Sequence, residues 1–306
     1  MFTPERLFSV RLTVLAGSDL TALLAQTLPD MVFDLAVPAA LTRMVRQALA
    51  AGAHVLSENP MANSLKEARG LLDAIAQASR LHPVMKNRRF LPGIRRVKAL
   101  LGAGASGHLT AVHIDFFIGA HFGGLRDQMQ HVLLLDMAIH TCNAVRFVSG
   151  CQSGGVYCHK SNPAGSRYAH GASADALFDI ARGVTMTYRG SWYALVASTA
   201  WEAQWRLIGS MGTILWDGNE GVGGHPVAGD DGFFRPLTPL VVPPLTDPLI
   251  QGHSRVIADF LNAVETGQPA LTDGRDKIHS LAMVFAAIAS AEAGQRLPVT
   301  TGVPHV

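Results

Sequence analysis

A chain of 306 residues has room for two domains or one large one. Its 48% hydrophobic and 16% charged composition fills a core and excludes disorder, and a formal charge of +2 with no Lys/Arg block excludes a nucleic-acid-binding surface. No apolar run reaches the roughly eighteen residues of a membrane span, the start MFTPERLFSVR lacks the apolar centre of a signal peptide, and Cys142, Cys151 and Cys158 fit neither a zinc knuckle nor a redox pair. The expected setting is soluble and cytoplasmic, with no membrane partner.

RLTVLAGSDLTALLAQ reads as a short edge strand, Arg11 to Ala16, and a helix capped by Ser18 or Asp19. MVFDLAVP is a nearly continuous apolar run, the pattern of a strand buried on both faces. LTRMVRQALAAG follows with helical spacing and stops at Gly52. HVLSE is the next strand. Asn63 or Ser64 caps SLKEARGLLDAIAQAS, whose Leu65, Ala68, Leu72 and Ile75 share one face. PVMKNRRF is a third strand, and this β-α-β-α-β order predicts parallel strands flanked by helices.

After the basic helix IRRVKALLGAG the texture changes. HLTAVHIDFFIGAHF, GVTMTYRGSWYALVAS, WRLIGSMG and TILWDG are strand-like runs separated by turn residues, and predict an antiparallel sheet interrupted by one helix over residues 131–148. Residues 218–249, rich in Gly and Pro, read as a long loop. HSRVIADFLNAVETG and DKIHSLAMVFAAIASAEAG close the chain as helices.

A dinucleotide site needs a strand, a glycine turn and a helix, so that backbone N–H groups hold pyrophosphate at the helix N-terminus. GAGASG, residues 102–107, has the glycine spacing but follows a helix and precedes a strand, so it reads as a helix stop and connector. The turn at Gly17 has a single glycine, and Asp19 would repel phosphate.

AVP, AAGAHVLSENPMANSLKEA, NRRFLP and DMAIH occur in an order that resembles the Gfo/Idh/MocA family, the glucose–fructose oxidoreductase and inositol dehydrogenase relatives. The resemblance runs nearly the whole chain, to GSMGTILWDG and the closing helices. It implies an α/β chain: an incomplete Rossmann-like parallel-sheet domain over residues 1–92, then an α+β domain with a large open antiparallel sheet over residues 93–306, whose closing helices return to the first domain. It further implies NAD- or NADP-dependent chemistry on a sugar, polyol or cyclitol, and a homodimer or homotetramer built on the antiparallel sheet. Pro38, Glu58, Pro60 and Asn87 are the implied cofactor contacts.

Two departures qualify this. The family's glycine turn precedes anything resembling PERL, and here Pro4 is almost the first residue, so the first strand, glycine loop, first helix and second strand are expected to be missing and cofactor binding impaired. The family's EKP signature reads ENP, so Asn59 stands where the family has lysine; an amide can hydrogen-bond but carries no charge.

LLLDMAIHT carries Asp136 and His140 four residues apart, on one face of a helix. Such a pair can exchange a hydroxyl proton and orient the imidazole, or can brace a buried helix; the resemblance favours the first, with Asp136, His140 and Asn59 catalytic. His121, Arg88 and Tyr168 are candidate substrate contacts, against a surface histidine, a solvated basic edge and a polar loop. The four tryptophans suit packing better than sugar stacking. Thirteen histidines offer neither HxxxH nor HExxH, and no metal is expected. Against the oxidoreductase stand two other readings: a family member without redox activity that binds or senses a sugar, and a lyase or isomerase acting through His140.

Overall fold

The computed structural model describes residues 15–195, 197–244 and 251–302. Most of the edge strand expected at Arg11 to Ala16 lies outside them. Helix α1 (Leu20–Thr27) starts at Asp19, whose carboxylate accepts from the Thr21 and Ala22 amides at 2.9 and 3.3 Å. Strand β1 (Met31–Asp34) pairs in parallel with β2 (His54–Ser57), Met31 opposite His54 and Asp34 opposite Ser57. Helix α2 (Pro38–Ala50) connects them and buries Leu41, Val45, Ala48 and Leu49, one stripe at helical spacing. Helix α3 (Leu65–Ala78) is capped by Ser64, which accepts from the Glu67 amide at 3.1 Å, and buries Ala68, Leu71 and Ile75.

PVMKNRRF is not a full third strand. The Val55 and Ser57 amides donate to the Leu81 and Pro83 carbonyls, and the Met85 amide to Ser57, so residues 81–85 run beside β2. Against β2 the segment forms one ladder bridge, Ser57 with Val84, while Pro83 bridges Asp273 on its other side, and Asn87–Phe90 closes into a 3₁₀ turn. Pro83 has no N–H to give a ladder, and the turn leads into α4 (Pro92–Gly102) with Pro at its first position. GAGASG is the end of α4 and the connector to β3, with Ala103 as C-cap.

Among the described residues the large sheet has eight strands: β3 (Leu109–Phe117), β4 (Ser153–Ser161), β5 (Ser173–Ile180), β6 (Val184–Ser191), β7 (Gln204–Gly209), β8 (Gly212–Trp216), β9 (Val222–Pro226) and β10 (Leu297–Pro298), in the order β10-β4-β5-β6-β3-β7-β8-β9. Every pairing is antiparallel except β3 with β6. That parallel pair follows from the crossover between them: β3 leaves through the short helix α5 (Leu125–Gln128) and the longer helical segment after it, the chain returns through the β4–β5 hairpin, and β6 then enters beside β3 in the same direction. β9 lies inside the segment read as a loop.

One face of this sheet is core. Val112, Ile114, Phe116, Phe178, Met186, Tyr188, Trp205, Leu207 and Trp216 are buried there at alternate positions. Helices α4, α6 (Ile139–Ser149) and α8 (Gly274–Ala293) cover it. Gly93 lets α4 rest on the sheet, since a Cβ there would collide with the Trp216 indole. The other face is open and carries the Asp115–Arg189 pair on facing strands at 2.6–2.7 Å. Helix α8 also returns to the parallel sheet: Gly274 donates to the His82 carbonyl and Val84 to Thr272, both at 2.9 Å. Helix α7 (Gly252–Thr266) places Val256 and Phe260 against Leu56 and Phe90. Among the described residues no helix is long and apolar enough to cross a membrane.

Candidate active site

The loop after β2 is stitched from both sides. Glu58 donates its amide to the Asp34 carbonyl at 3.0 Å, and the Ser57 hydroxyl meets His82 Nε2 at 2.9 Å. The Asn59–Pro60 peptide is cis. Asn59 therefore sits at the C-terminal end of a parallel strand, where α/β folds gather ligand groups.

Its amide is held at both ends. Lys86 Nζ, from the segment beside β2, donates to Asn59 Oδ1, and Asn59 Nδ2 lies 3.4 Å from His140 Nε2. Lys86 is 2% exposed. Burial first, then the neighbouring Lys277, pushes its ammonium well below the ordinary lysine range. His140, in the first turn of α6, is pushed well below the usual histidine range by burial, then by Arg88, Lys86 and His253. It is a neutral imidazole at pH 7, and its buried Nδ1 has no partner. On its sheet side the space is closed to about 10 Å³, lined by Arg88, Ile94, Glu202, Trp205 and Trp216.

Asp136 does not join this chain. Residues Leu133–Ala138 form a π turn ahead of α6. Its wider winding breaks the α-helical spacing on which a one-face Asp136–His140 pair depends. The Asp136 carboxylate accepts from Arg126 Nε at 3.0 Å. Arg88 is taken up by protein: it donates to the Trp201 carbonyl at 2.7 Å, contacts Met137 Sδ at 3.1 Å and pairs with Glu202 at 3.4 Å. Burial lowers the Arg88 pKa and raises that of Glu202. Asn87 Nδ2 lies 3.4 Å from the His253 ring. Tyr168 is 2% exposed and donates its hydroxyl to the Ala120 carbonyl at 2.7 Å, a bracing contact. His121 is exposed. Pro38 opens α2 and its carbonyl accepts from Asn63 at 2.7 Å; Pro60 is buried in the turn.

The geometry adds Lys86, Glu202 and His253 to the residues read from sequence. Lys86 had a signal, a cation ending the apolar run PVM. His253 had none, because its approach to Asn87 spans 166 positions.

For a dinucleotide, the described residues fit one end. Asp34, at the tip of β1, is 5% exposed and has an unpartnered Oδ2; burial raises its pKa, and it suits a hydroxyl donor such as a ribose. The N-terminus of α2 carries no side-chain cap. The pyrophosphate end does not fit α1, whose first amides are already bonded to the Asp19 carboxylate. Among the described residues no three His, Cys, Asp or Glu side chains converge as a metal site.

A parallel-strand domain joined to a domain with an open, mostly antiparallel sheet, with a histidine between them at the strand ends, defines the two-domain oxidoreductase class. Residues 5–85 match the oxidoreductase family with an NAD-binding Rossmann fold, and residues 94–215 match the GFO/IDH/MocA C-terminal domain. The chain belongs to the Gfo/Idh/MocA family. It is similar to protein y4oX of Sinorhizobium fredii, 26% identical over 86% of this chain and 74% of the relative. It is also similar to the 1,5-anhydro-D-fructose reductase of Ensifer adhaerens, 24% identical over 84% and 75%. An oxidoreductase from Agrobacterium radiobacter, solved with NAD+, L-tartaric acid and magnesium, shares the fold with a TM-score of 0.78 at 22% identity, over 92% of this chain and 83% of that one.

Proposed function

We propose that the chain is an NAD- or NADP-dependent oxidoreductase of a sugar, polyol or cyclitol, with His140 exchanging the proton of the reacting hydroxyl. The observation that carries this reading is the neutral, half-buried His140 ring held at the end of β2 by Asn59. A nicotinamide, when bound, supplies the hydride acceptor. The protein's part is acid–base: Nε2 faces Asn59 across a long 3.4 Å contact that a substrate hydroxyl can take over, giving its proton to the ring as the carbonyl forms. The similarity to a 1,5-anhydro-D-fructose reductase, and to an oxidoreductase solved in complex with NAD+, L-tartaric acid and magnesium, supports a polyhydroxylated substrate. We place Glu58 and Asn87 at the cofactor end with Pro38 and Pro60, and Asp136 and Arg126 as an ion pair near the substrate entrance.

The Asp19 carboxylate at α1 favours one second reading, a family member that binds a sugar without redox turnover and with a weakened cofactor grip. Titration of NADH and NADPH against tryptophan fluorescence separates the two; Trp201 is 47% exposed and its carbonyl accepts from Arg88. Saturation below millimolar cofactor supports the oxidoreductase, and no saturation removes it. A sugar that raises the melting temperature without cofactor supports the second reading.

The open sheet face supports a homo-oligomer. It forms a concavity of about 940 Å³ that includes Tyr157 and Leu177, exposed at 46% and 44%.

A further inference from the structure

Lys86 is a buried basic group at this site that the proton transfer does not use, and unlike Arg88, which pairs with Glu202, it meets no carboxylate among the described residues in a hydrogen bond or ion pair. Burying an ammonium costs several kcal/mol unless a partner repays it, and an apolar side chain would fill the position at less cost. Lys277, the other buried lysine, pairs with the Asp276 carboxylate and donates to the side-chain Oδ1 of Asn143 at 3.2 Å. The partner of Lys86 is an amide oxygen.

The chemistry of the three groups leaves one arrangement. Lys86 Nζ donates to Asn59 Oδ1, which sets the amide with Oδ1 toward Lys86; a charged Lys86 admits no other orientation, since an ammonium only donates. Nδ2 then faces His140, and it too only donates, so the His140 Nε2 must accept. The ring proton is left on Nδ1. Without Lys86 the amide could turn over and offer Oδ1 to a protonated Nε2, which would take the basic lone pair away from the loop after β2. We propose that Lys86 is a positioning residue: by fixing the orientation of the Asn59 amide, it holds His140 in the tautomer whose Nε2 is free of a proton. The proposal takes from the function above only that His140 is the proton-exchanging group. Arg88, Lys86 and His253 act on the ring, and Glu202 lines the same small cavity, paired to Arg88. The three basic groups disfavour a second proton on His140, so Lys86 acts in the same direction as the hydrogen bonds.

The test is nitrogen NMR on the resting protein labelled with 15N-histidine, with His140→Gln identifying the signals of residue 140. In the wild-type protein at pH 7, His140 shows an unprotonated Nε2 and a protonated Nδ1. Lys86→Met removes the clamp while keeping the volume apolar, and the His140 signals move to a mixture of both tautomers. Lys86→Gln keeps a donor for Asn59 without the charge and restores the wild-type tautomer. Asn59→Asp removes the donor toward Nε2 and drives His140 to the Nε2-protonated form. A Lys86→Met protein that keeps the wild-type His140 signals overturns the proposal, as does a wild-type protein with a protonated Nε2. Should Lys86→Met not fold, the wild-type spectrum can still overturn the proposal by showing a protonated Nε2, and Lys86→Gln, which keeps the donor, still has to show the wild-type tautomer. None of these spectra needs turnover. A chain that oxidises no sugar can still pass this test, and an active one can fail it.

Discussion

His82 should make this protein acid-sensitive by an amount that can be worked out. The side chain is 1% exposed, its Nε2 bonds Ser57 at 2.9 Å, and Nδ1 has no partner. Burial pushes its pKa from 6.5 down to about 4, with Asp273 opposing. The unfolded chain takes up the proton at about 6.5 and the folded chain only near 4, so between these values the unfolded state binds more protons. Stability from this residue is complete above pH 6.5, falls as pH drops, and is fully lost below pH 4. At about 1.4 kcal/mol per pH unit the loss is about 3 kcal/mol, a large part of a typical folding free energy. Carboxylates titrate in the same range, so the measurement is a difference: urea unfolding from pH 7.5 to pH 4 for the wild type and for His82→Gln, whose amide can still meet Ser57. The wild type should lose about 3 kcal/mol more than the variant. Parallel curves for the two proteins would refute the argument. His82 opens the segment that carries Lys86, and Gly274 donates to its carbonyl, so its protonation should also loosen the seam behind the site.

Arg88→Ala leaves the largely buried Glu202 carboxylate without its cation, and should cost about 2–4 kcal/mol in urea unfolding, with Glu202→Gln costing clearly less. Asn59→Lys sets two ammoniums side by side. At roughly 4 Å and an effective dielectric of about 20 that repulsion is about 4 kcal/mol, so the variant should melt lower, and the added change Lys86→Met should recover most of the loss. Leu177→Asp on the open sheet face should shift the protein toward monomer in light scattering without changing its fold by circular dichroism. Burial pushes the Cys142 and Cys158 thiols up to about 12, so at pH 8 neither should react with a thiol reagent until the protein is unfolded.

The elements that rest on local chemistry were legible in the sequence. The stripe of α2, the caps of α3 (Asn63 or Ser64 in the sequence, Ser64 in the structure) and of α1 (Ser18 or Asp19, resolved to Asp19), and the helix stop at GAGASG depend on neighbours within four residues. What was lost depends on partners far along the chain. The run PVMKNRRF has strand composition, but β2 offers it one ladder bridge and the 3₁₀ turn takes the rest. LLLDMA carries no mark of a π turn, because its apolar residues satisfy either winding. The position of β6 beside β3 is a property of the crossover and not of either strand. In the site, the order of motifs placed Asn59 and His140 in one region, and the structure brings them to 3.4 Å across 81 positions. Arg88 and Tyr168 were read by residue type as free to meet a substrate, whereas their polar atoms are bonded within the protein.

The loop ENP carries no cation of its own when read along the chain, and in space one is supplied to it. Lys86 reaches Asn59 from the adjacent extended segment, so the basic group at this loop comes from position 86 and not from position 59. The two placements differ in consequence. A lysine on the loop itself could meet a substrate oxygen directly, whereas Lys86, 2% exposed and behind the amide, acts on whatever Asn59 and His140 touch. Its effect should therefore fall on the protonation state of the histidine more than on the affinity for a hydroxylated ligand. Residues 59 and 86 should be strongly coupled in a double-mutant cycle, while either should add nearly independently to changes at Arg126 and Asp136, whose own hydrogen bond lies outside this chain of three.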